Sequence, residues 1–330
     1  MIISKTPLRI SLMGGGTDIA NYYTNNKFGC VISSSIASYI YVIVKKQSEI
    51  FSEKFRLNYS ETEMISDINE IKNPIIKECL KFLQIDEKIY IATIADIPAS
   101  TGLGSSSSFC VGLLNALYQF KGQSISQMQL AADASTIEIN LLKKPIGKQD
   151  QYAAGIGGLN FIKFNSDHTT EVQPINISKK NITLLNENII IFWSGLTRSA
   201  DNILSEQSKN YKDNYKNLNI LKKNVFSLKD CLELETINLD LIGSLLNESW
   251  NLKKTFASKI TNPIIDKAYS LAMKNGAIGG KLLGAGGGGF LFFISNPSNH
   301  NIIESKLKEI GFTKINLKFS SHGTSVKNLF

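Results

Sequence analysis

Apolar and polar positions follow two periods along this chain, and the change from one to the other marks out its elements. Residues 2–12 and 30–44 (CVISSSIASYIYVIV) are rich in β-branched side chains and partly alternating, which predicts strands. Residues 88–95 (KIYIATIA) predict another. Pro98 and the stretch STGLGSSSS then interrupt the pattern as a loop. Beyond it Phe109, Leu113, Leu117 and Phe120 recur at three- and four-residue steps, so a buried helix is predicted from near Ser105. A second helix is predicted over about 126–142, before Pro145 and Gly147 break it. GKQDQYAAGIGG follows as a loop or helix start and leads to a strand at 158–164.

After about residue 166 the texture changes. Residues 199–258 are polar, rich in lysine and asparagine, and predict helices; within them 205–230 reads as a solvated helical face or as a mobile lid. Asn262-Pro263 supplies an N-cap with proline at the first helical position, and Gly276 stands at the far end. Gly276 to Gly289 holds eight of the 24 glycines, and the apolar strand FLFFI follows. A helix near 299–310 and a strand near 313–319 close the chain. Both halves mix helix and strand, which predicts an α+β protein. At roughly 150 residues per domain, 330 residues predict two domains, placed at 1–165 and 166–330.

Composition removes several function classes. The net charge of +8 comes from 36 Lys+Arg against 28 Asp+Glu, but only Arg9, Arg56 and Arg198 are arginine. The lysines are scattered, without the clustered, aromatic-interleaved stripe of a nucleic-acid binder, so no nucleic-acid partner is expected. Cys30, Cys79, Cys110 and Cys231 lie far apart, which predicts neither a zinc site nor a disulfide framework and suits a reducing compartment. His168, His300 and His322 show no metal-ligand spacing, so zinc hydrolases and Ser-His-Asp hydrolases are poor candidates. The N-terminus has no long apolar stretch, and no run of about eighteen apolar residues occurs. A cytoplasmic protein without a membrane partner is expected; monomer and homodimer both stay open.

Three glycine segments and two carboxylates are the candidates for chemistry. In Pro98-Ala-Ser-Thr-Gly-Leu-Gly-Ser-Ser-Ser-Ser108, Gly102 and Gly104 let the backbone approach an anion, and Ser105 to Ser108 open a helix whose first amides lack partners. This is either a phosphate site or a flexible serine loop capping a helix. Gly284-Ala-Gly-Gly-Gly-Gly289 satisfies Gly-x-Gly-x-x-Gly, but it precedes a strand, so a dinucleotide fold is rejected. Gly14-Gly-Gly-Thr-Asp18 reads as a turn or as a ligand loop. Glu138 and Asp150 are either solvated charges or acids that hold Mg²⁺ and orient a nucleophilic hydroxyl.

In order, these segments resemble the GHMP kinase superfamily. Residues 7–18 (PLRISLMGGGTD) are similar to its first motif, Pro98 to Ser106 to its Pro-x-x-x-Gly-Leu-Gly-Ser-Ser loop, and Lys281 to Gly289 to its third, glycine-rich motif. Gly147-Lys-Gln-Asp-Gln151 resembles the segment with the catalytic Asp. The resemblance implies a two-domain α+β GHMP kinase fold: an N-terminal ribosomal-protein-S5-like domain and a C-terminal ferredoxin-like α/β sandwich, with the active site in the cleft between them. It implies ATP and Mg²⁺ as cofactors. Asp150 would take or orient the proton of the substrate hydroxyl, and Arg9 would favour the incipient alkoxide. Ser100, Thr101, Gly102, Leu103, Gly104, Ser105, Ser106 and Ser107 would hold the ATP phosphates, and Ser106 and Glu138 would ligate Mg²⁺.

The same resemblance narrows the acceptor. Thr17-Asp18 is the sugar-kinase form of the first motif, while Gly15 and Gly16 replace a Glu-His pair that faces the exocyclic end of galactose. Leu-Arg-Ile-Ser-x-x-Gly-Gly-Gly-Thr-Asp, together with Ser194 to Ala200 (SGLTRSA), is similar to the branch that phosphorylates heptose 7-phosphate or L-fucose at the anomeric hydroxyl. That implies heptose 7-phosphate as substrate, in the synthesis of nucleotide-activated heptose for cell-surface polysaccharide. Gly15, Gly16, Thr17, Asp18, Gly286 and Gly287 would bind the sugar. Thr197 and Arg198 would meet its 7-phosphate or an adjacent sugar oxygen, because arginine forks onto phosphate and is rare here; the alternative is a helix-start arginine that solvates its own surface. L-fucose or another sugar is the alternative substrate. A non-catalytic sugar-binding relative is disfavoured by Ser106, Glu138 and Asp150 occurring together.

Overall fold

The computed structural model describes residues 1–197 and 200–329. The first sheet contains β1 (Ile2–Met13), β2 (Phe28–Lys46), β3 (Phe55–Asn58), β4 (Thr62–Ile65), β5 (Ile89–Ala95), β6 (Leu159–Asn165) and β7 (Thr170–Pro174). The second contains β8 (Ile189–Trp193), β9 (Ala277–Leu282), β10 (Phe290–Ser295) and β11 (Thr313–Ile315). The last strand, β12 (Ser325–Asn328), returns to the first sheet and pairs with the start of β1. The helices are α1 (Ala20–Tyr23), α2 (Pro74–Phe82), α3 (Ser105–Phe120), α4 (Gln127–Ser135), α5 (Gln149–Ile156), α6 (Lys179–Asn188), α7 (Asp201–Lys209), α8 (Tyr215–Leu232), α9 (Leu239–Lys253), α10 (Pro263–Lys274) and α11 (His300–Lys308). Among the described residues no helix is long and apolar enough to cross a membrane.

The burial pattern of β2 shows how the layers meet. Its first half is buried on both faces, whereas from Ile40 onward buried and partly exposed residues alternate. A strand covered on both sides reads as a continuous apolar or small-residue run, and one with an open face alternates. Helices α3, α5 and α8 supply the cover over β2. In the second sheet every residue of β10 (FLFFIS) is buried, and each such Phe, Leu or Ile contributes about 1.5–3 kcal/mol of burial.

Several expectations are refined. The division expected at residue 165 falls inside the first sheet, because β7 pairs with β6 and β12 closes onto β1. The helix expected over 126–142 ends at Ser135 and continues as one wide π turn, Thr136–Leu141. The strand expected at 313–319 stops at Ile315, because the chain then crosses to β2, where Lys318 O accepts from Ala37 N. Within 205–230, the end of α7 and a turn lead into α8, which buries Leu218, Leu221, Val225 and Leu228, so the α8 part is a packed helix. Asn262 caps α10 through its side chain, with Pro263 at the first position, as its sequence predicts.

A close backbone contact joins the second sheet to α9. A Cβ on Gly279 of β9 would lie 1.8 Å from the carbonyl oxygen of Gly243 in α9. Two facing glycines therefore let α9 lie directly on β9. That contact fixes the end of α9, at Lys253, relative to Lys281 on β9.

Candidate active site

Arg9, on the second half of β1, is almost wholly buried and joins three segments. Its Nε and Nη2 donate to Asp150 Oδ1 and Oδ2 at 2.7 and 2.6 Å, a two-pronged charge-assisted pair. Its Nη1 donates to Gly102 O at 2.7 Å, and its backbone N–H donates to Leu103 O at 3.0 Å. Asp150 lies in the first turn of α5, where the helix N-terminus favours a carboxylate. Strand β1 thus fastens both the serine-rich loop and the candidate catalytic acid.

Glu138 lies on the π turn and is fully buried. π turns mark functional sites often, because the extra residue re-aims a side chain. Its Oε1 accepts from Ser106 Oγ at 3.0 Å and from Lys144 Nζ at 2.8 Å, and its Oε2 accepts from Gln151 Nε2 at 2.6 Å. Lys144 Nζ also donates to Ser106 Oγ at 2.8 Å. An ammonium is thereby held between the two oxygens expected to ligate Mg²⁺. That shows a place where a cation is coordinated by one carboxylate and one hydroxyl. Among the described residues no three His, Cys, Asp or Glu side chains converge as a ready metal cage. A hard-oxygen pair suits Mg²⁺, which keeps water and takes phosphate oxygens rather than a full protein shell.

Two cavities meet at the Arg9–Asp150 pair, and both are also lined by Ile146, Leu204, Gly284 and Ala285. The larger measures about 910 Å³. Ser100, Gly102, Gly104, Ser105, Ser106 and Ser107 line it beside Glu138 and Lys144, and Ile40, Ile75, Ile97 and Phe109 line it as well. It therefore combines a helix N-terminus and hydroxyls with apolar side chains, as a nucleotide with phosphates and a flat base requires. Of the residues expected to hold phosphate, Thr101 and Leu103 do not line it. Both are buried, Thr101 Oγ1 donating to Pro98 O and Leu103 packing in the core.

The smaller cavity is lined by Gly15, Gly16 and Asp18 on one side and by Lys253 and Lys281 on another. Asp18 is buried; Gly16 N and Gln149 Nε2 donate to its two oxygens at 2.9 Å each. Burial pushes its carboxyl above the usual range, and the charge of Asp150 adds to that. A Cβ on Gly147 would lie 2.0 Å from Asp18 Oδ2, so this glycine, close to Asp150 in the chain, makes room for the first motif's acid.

Four of the expected sugar-binding residues do not line this cavity. Thr17 is fully buried, and its hydroxyl donates to the carbonyls of Gly14 and Cys30, which makes it a brace for the loop. Gly286 and Gly287 pack on Ile260 instead, and their place is taken by Gly284 and Ala285. Thr197 is exposed, outside both cavities. Arg198 lies outside the described residues. Lys144, Gln151, Lys253 and Lys281 are functional candidates that the sequence reading assigns no role. Gln151 ends the Gly147–Gln151 segment and Lys281 begins the glycine-rich motif, whereas Lys144 and Lys253 lie in neither.

Residues 73–158 match the GHMP kinases N terminal domain, and residues 228–311 match GHMP kinases C terminal. The chain is 30% identical over 338 residues to the D-glycero-alpha-D-manno-heptose 7-phosphate kinase of Campylobacter jejuni, covering 98% of this chain and 97% of that one. It is 24% identical over 335 residues to the L-fucokinase/L-fucose-1-P guanylyltransferase of Bacteroides fragilis, covering 89% of this chain and 34% of that one. The crystal structure of a D-glycero-D-manno-heptose 1-phosphate kinase from Bacteriodes thetaiotaomicron shares the fold, with a TM-score of 0.81 over the whole of both chains at 22% identity. On full-length identity and on both matched domains, the chain belongs to the GHMP kinase family.

Proposed function

We propose that this protein is an ATP-dependent sugar 1-kinase that phosphorylates D-glycero-D-manno-heptose 7-phosphate at its anomeric hydroxyl, giving the 1,7-bisphosphate. The observation that carries the chemistry is the junction of two cavities at Arg9 and Asp150. The choice of sugar is supported by the full-length likeness to the Campylobacter jejuni kinase.

Phosphoryl transfer needs positioning and charge neutralisation more than covalent help from the protein. Asp150 accepts a hydrogen bond from the anomeric hydroxyl and aims its oxygen at the γ-phosphorus. The new O–P bond forms as the β–γ bridging O–P bond breaks, and the hydroxyl proton passes to the carboxylate. Arg9 holds Asp150 by both oxygens and supplies positive charge where the alkoxide develops. The first amides of α3, with Gly102, Gly104 and Ser105 to Ser107, face the phosphates. Ser106 and Glu138 would hold Mg²⁺, which when bound neutralises the charge on the phosphate oxygens. Lys144 adds a cation at the same end. Asp18 receives hydroxyls of the sugar ring. Four free thiols and ATP as donor support a cytoplasmic location.

The test is a panel of heptose 7-phosphate, free heptose and L-fucose with ADP release as readout. Heptose 7-phosphate is expected to give the highest kcat/KM. A higher value for L-fucose would instead establish the second reading, which the Bacteroides fragilis relative favours.

A further inference from the structure

We infer that Lys253 and Lys281 form the subsite for the terminal phosphate of the sugar, and that they set the enzyme's preference for a phosphorylated over a free sugar. This rests on the sugar-kinase reading and names the part of the acceptor cavity that reads the second anionic group.

Both lysines line the acceptor cavity and neither lines the nucleotide cavity. Both are at least nine-tenths buried. Lys281 Nζ donates to Ser11 O at 2.9 Å and Leu12 O at 3.2 Å, and Lys253 Nζ donates to Gly284 O. An ammonium carries three N–H donors, so two carbonyls leave Lys281 one donor for a ligand. Among the described residues no carboxylate lies within ion-pair distance of Lys281.

The two acids of this cavity are committed elsewhere. Asp150 is gripped by Arg9, and Asp18 is bonded by Gly16 and Gln149 and pushed toward its neutral form. Burial, then Lys253, then Arg9 hold Lys281 well below its ordinary range. Burying an ammonium that has no ion pair, as at Lys281, is costly unless an anion joins it. A phosphate dianion supplies that charge. Ser11 lines the same cavity, is nine-tenths buried, and its Oγ has no hydrogen-bond partner, so a third donor is at hand. Lys253 ends α9, Lys281 sits on β9, and the Gly243–Gly279 contact fixes one to the other. A rigid frame of this kind presents two ammoniums at a set spacing, which a phosphate uses and a hydroxyl does not.

The competing role is neutralisation of the transferring phosphoryl group, and kinetics separate the two. Lys253→Met and Lys281→Met are each expected to lower kcat/KM for heptose 7-phosphate about 10- to 100-fold, mainly through KM, the range for a charged hydrogen bond. The loss for free heptose is expected to be several-fold smaller, so the selectivity ratio collapses. An equal loss on both sugars, or no loss on the phosphorylated one, would overturn the assignment. A wild-type enzyme with no preference for heptose 7-phosphate would instead overturn the substrate reading.

A binding readout guards against misfolding. With ADP saturating the nucleotide cavity, added inorganic phosphate is expected to raise the Tm of the wild type and to raise that of Lys253→Gln less. Equal rises in the two proteins would count against the subsite.

Discussion

The two sides of the Arg9–Asp150 pair are built differently. On the side proposed for the nucleotide, the groups expected to meet the phosphates come from one stretch of chain, the loop at 98–107 with Glu138 and Lys144, and its charges are matched: a buried carboxylate, a hydroxyl, an ammonium and an amide bond one another. The side proposed for the acceptor draws Asp18 from the start of the chain and Lys253 and Lys281 from its last third, and there the Lys281 ammonium faces two carbonyl oxygens. A triphosphate is shared by every kinase of this kind and is held by backbone amides and helix geometry, which a local motif can encode. An acceptor sugar is particular to one enzyme and is read by side chains that only tertiary packing assembles.

Breaking the junction itself removes the distinction between the two sides. Asp150→Asn keeps the size of the side chain but loses the proton acceptor, so kcat should fall about 10²- to 10⁴-fold, the usual value of a general base. ATP binding, measured by calorimetry, should persist. Turnover within tenfold of wild type would remove the mechanism.

The nucleotide side is next. Glu138→Gln keeps the shape but removes the charge that Lys144, Ser106 and Gln151 surround. It should cost about 1–3 kcal/mol of stability, as for a buried charged group left with mismatched partners. A shallower dependence of turnover on Mg²⁺ concentration, with KM for the sugar little changed, would place the effect on this side alone.

On the acceptor side Gly147→Ala is the sharpest probe. Its Cβ would run into Asp18 Oδ2, and overpacking of this kind costs about 1–3 kcal/mol. KM for the sugar should rise, on the order of tenfold for displacement of one anchoring group, while KM for ATP stays put. A larger effect on ATP would break the assignment of the two cavities.

The smallest expected effect is on pH. Lys281 faces Arg9 and Lys253, with Asp18 and Asp150 across the same cavity, and its folded pKa lies below its ordinary 10.5. Between those two values the unfolded chain holds a proton that the folded protein has released, so this group makes stability rise with pH across that window. Substrate phosphate favours the ammonium, so KM for heptose 7-phosphate should rise over the same window. Lys281→Met should flatten both slopes, which chemical denaturation and initial rates at several pH values would show.

Legibility in the sequence divides along the same line. β1, β2, α3, the serine loop and the Asn262 cap are visible in the period of apolar residues and in turn chemistry, because local backbone preferences decide them. Glu138 and Asp150 are legible only through their order among the glycine motifs. The π turn that aims Glu138 is not, since a single wide turn is too short to show a period of its own. The first motif points Thr17 at the sugar, yet a motif carries residue order and not side-chain direction; the hydroxyl is taken by Gly14 and Cys30. The third motif points to Gly286 and Gly287 where Gly284 and Ala285 line the cavity, since a run of glycines carries no sign of which carbonyls face the cleft. Lys253 is invisible among the scattered lysines. It is buried only in the folded chain, where α9 packs on β9.

In the proposed reaction the two cavities bring ATP and a phosphorylated heptose together at Asp150, so that the γ-phosphoryl passes to the anomeric oxygen. Phosphorus NMR of the product formed from ATP and D-glycero-D-manno-heptose 7-phosphate tests this directly. A new anomeric phosphate resonance, coupled to H1, beside the retained 7-phosphate is the predicted result. A new phosphate on any other carbon, or no sugar product at all, would contradict it.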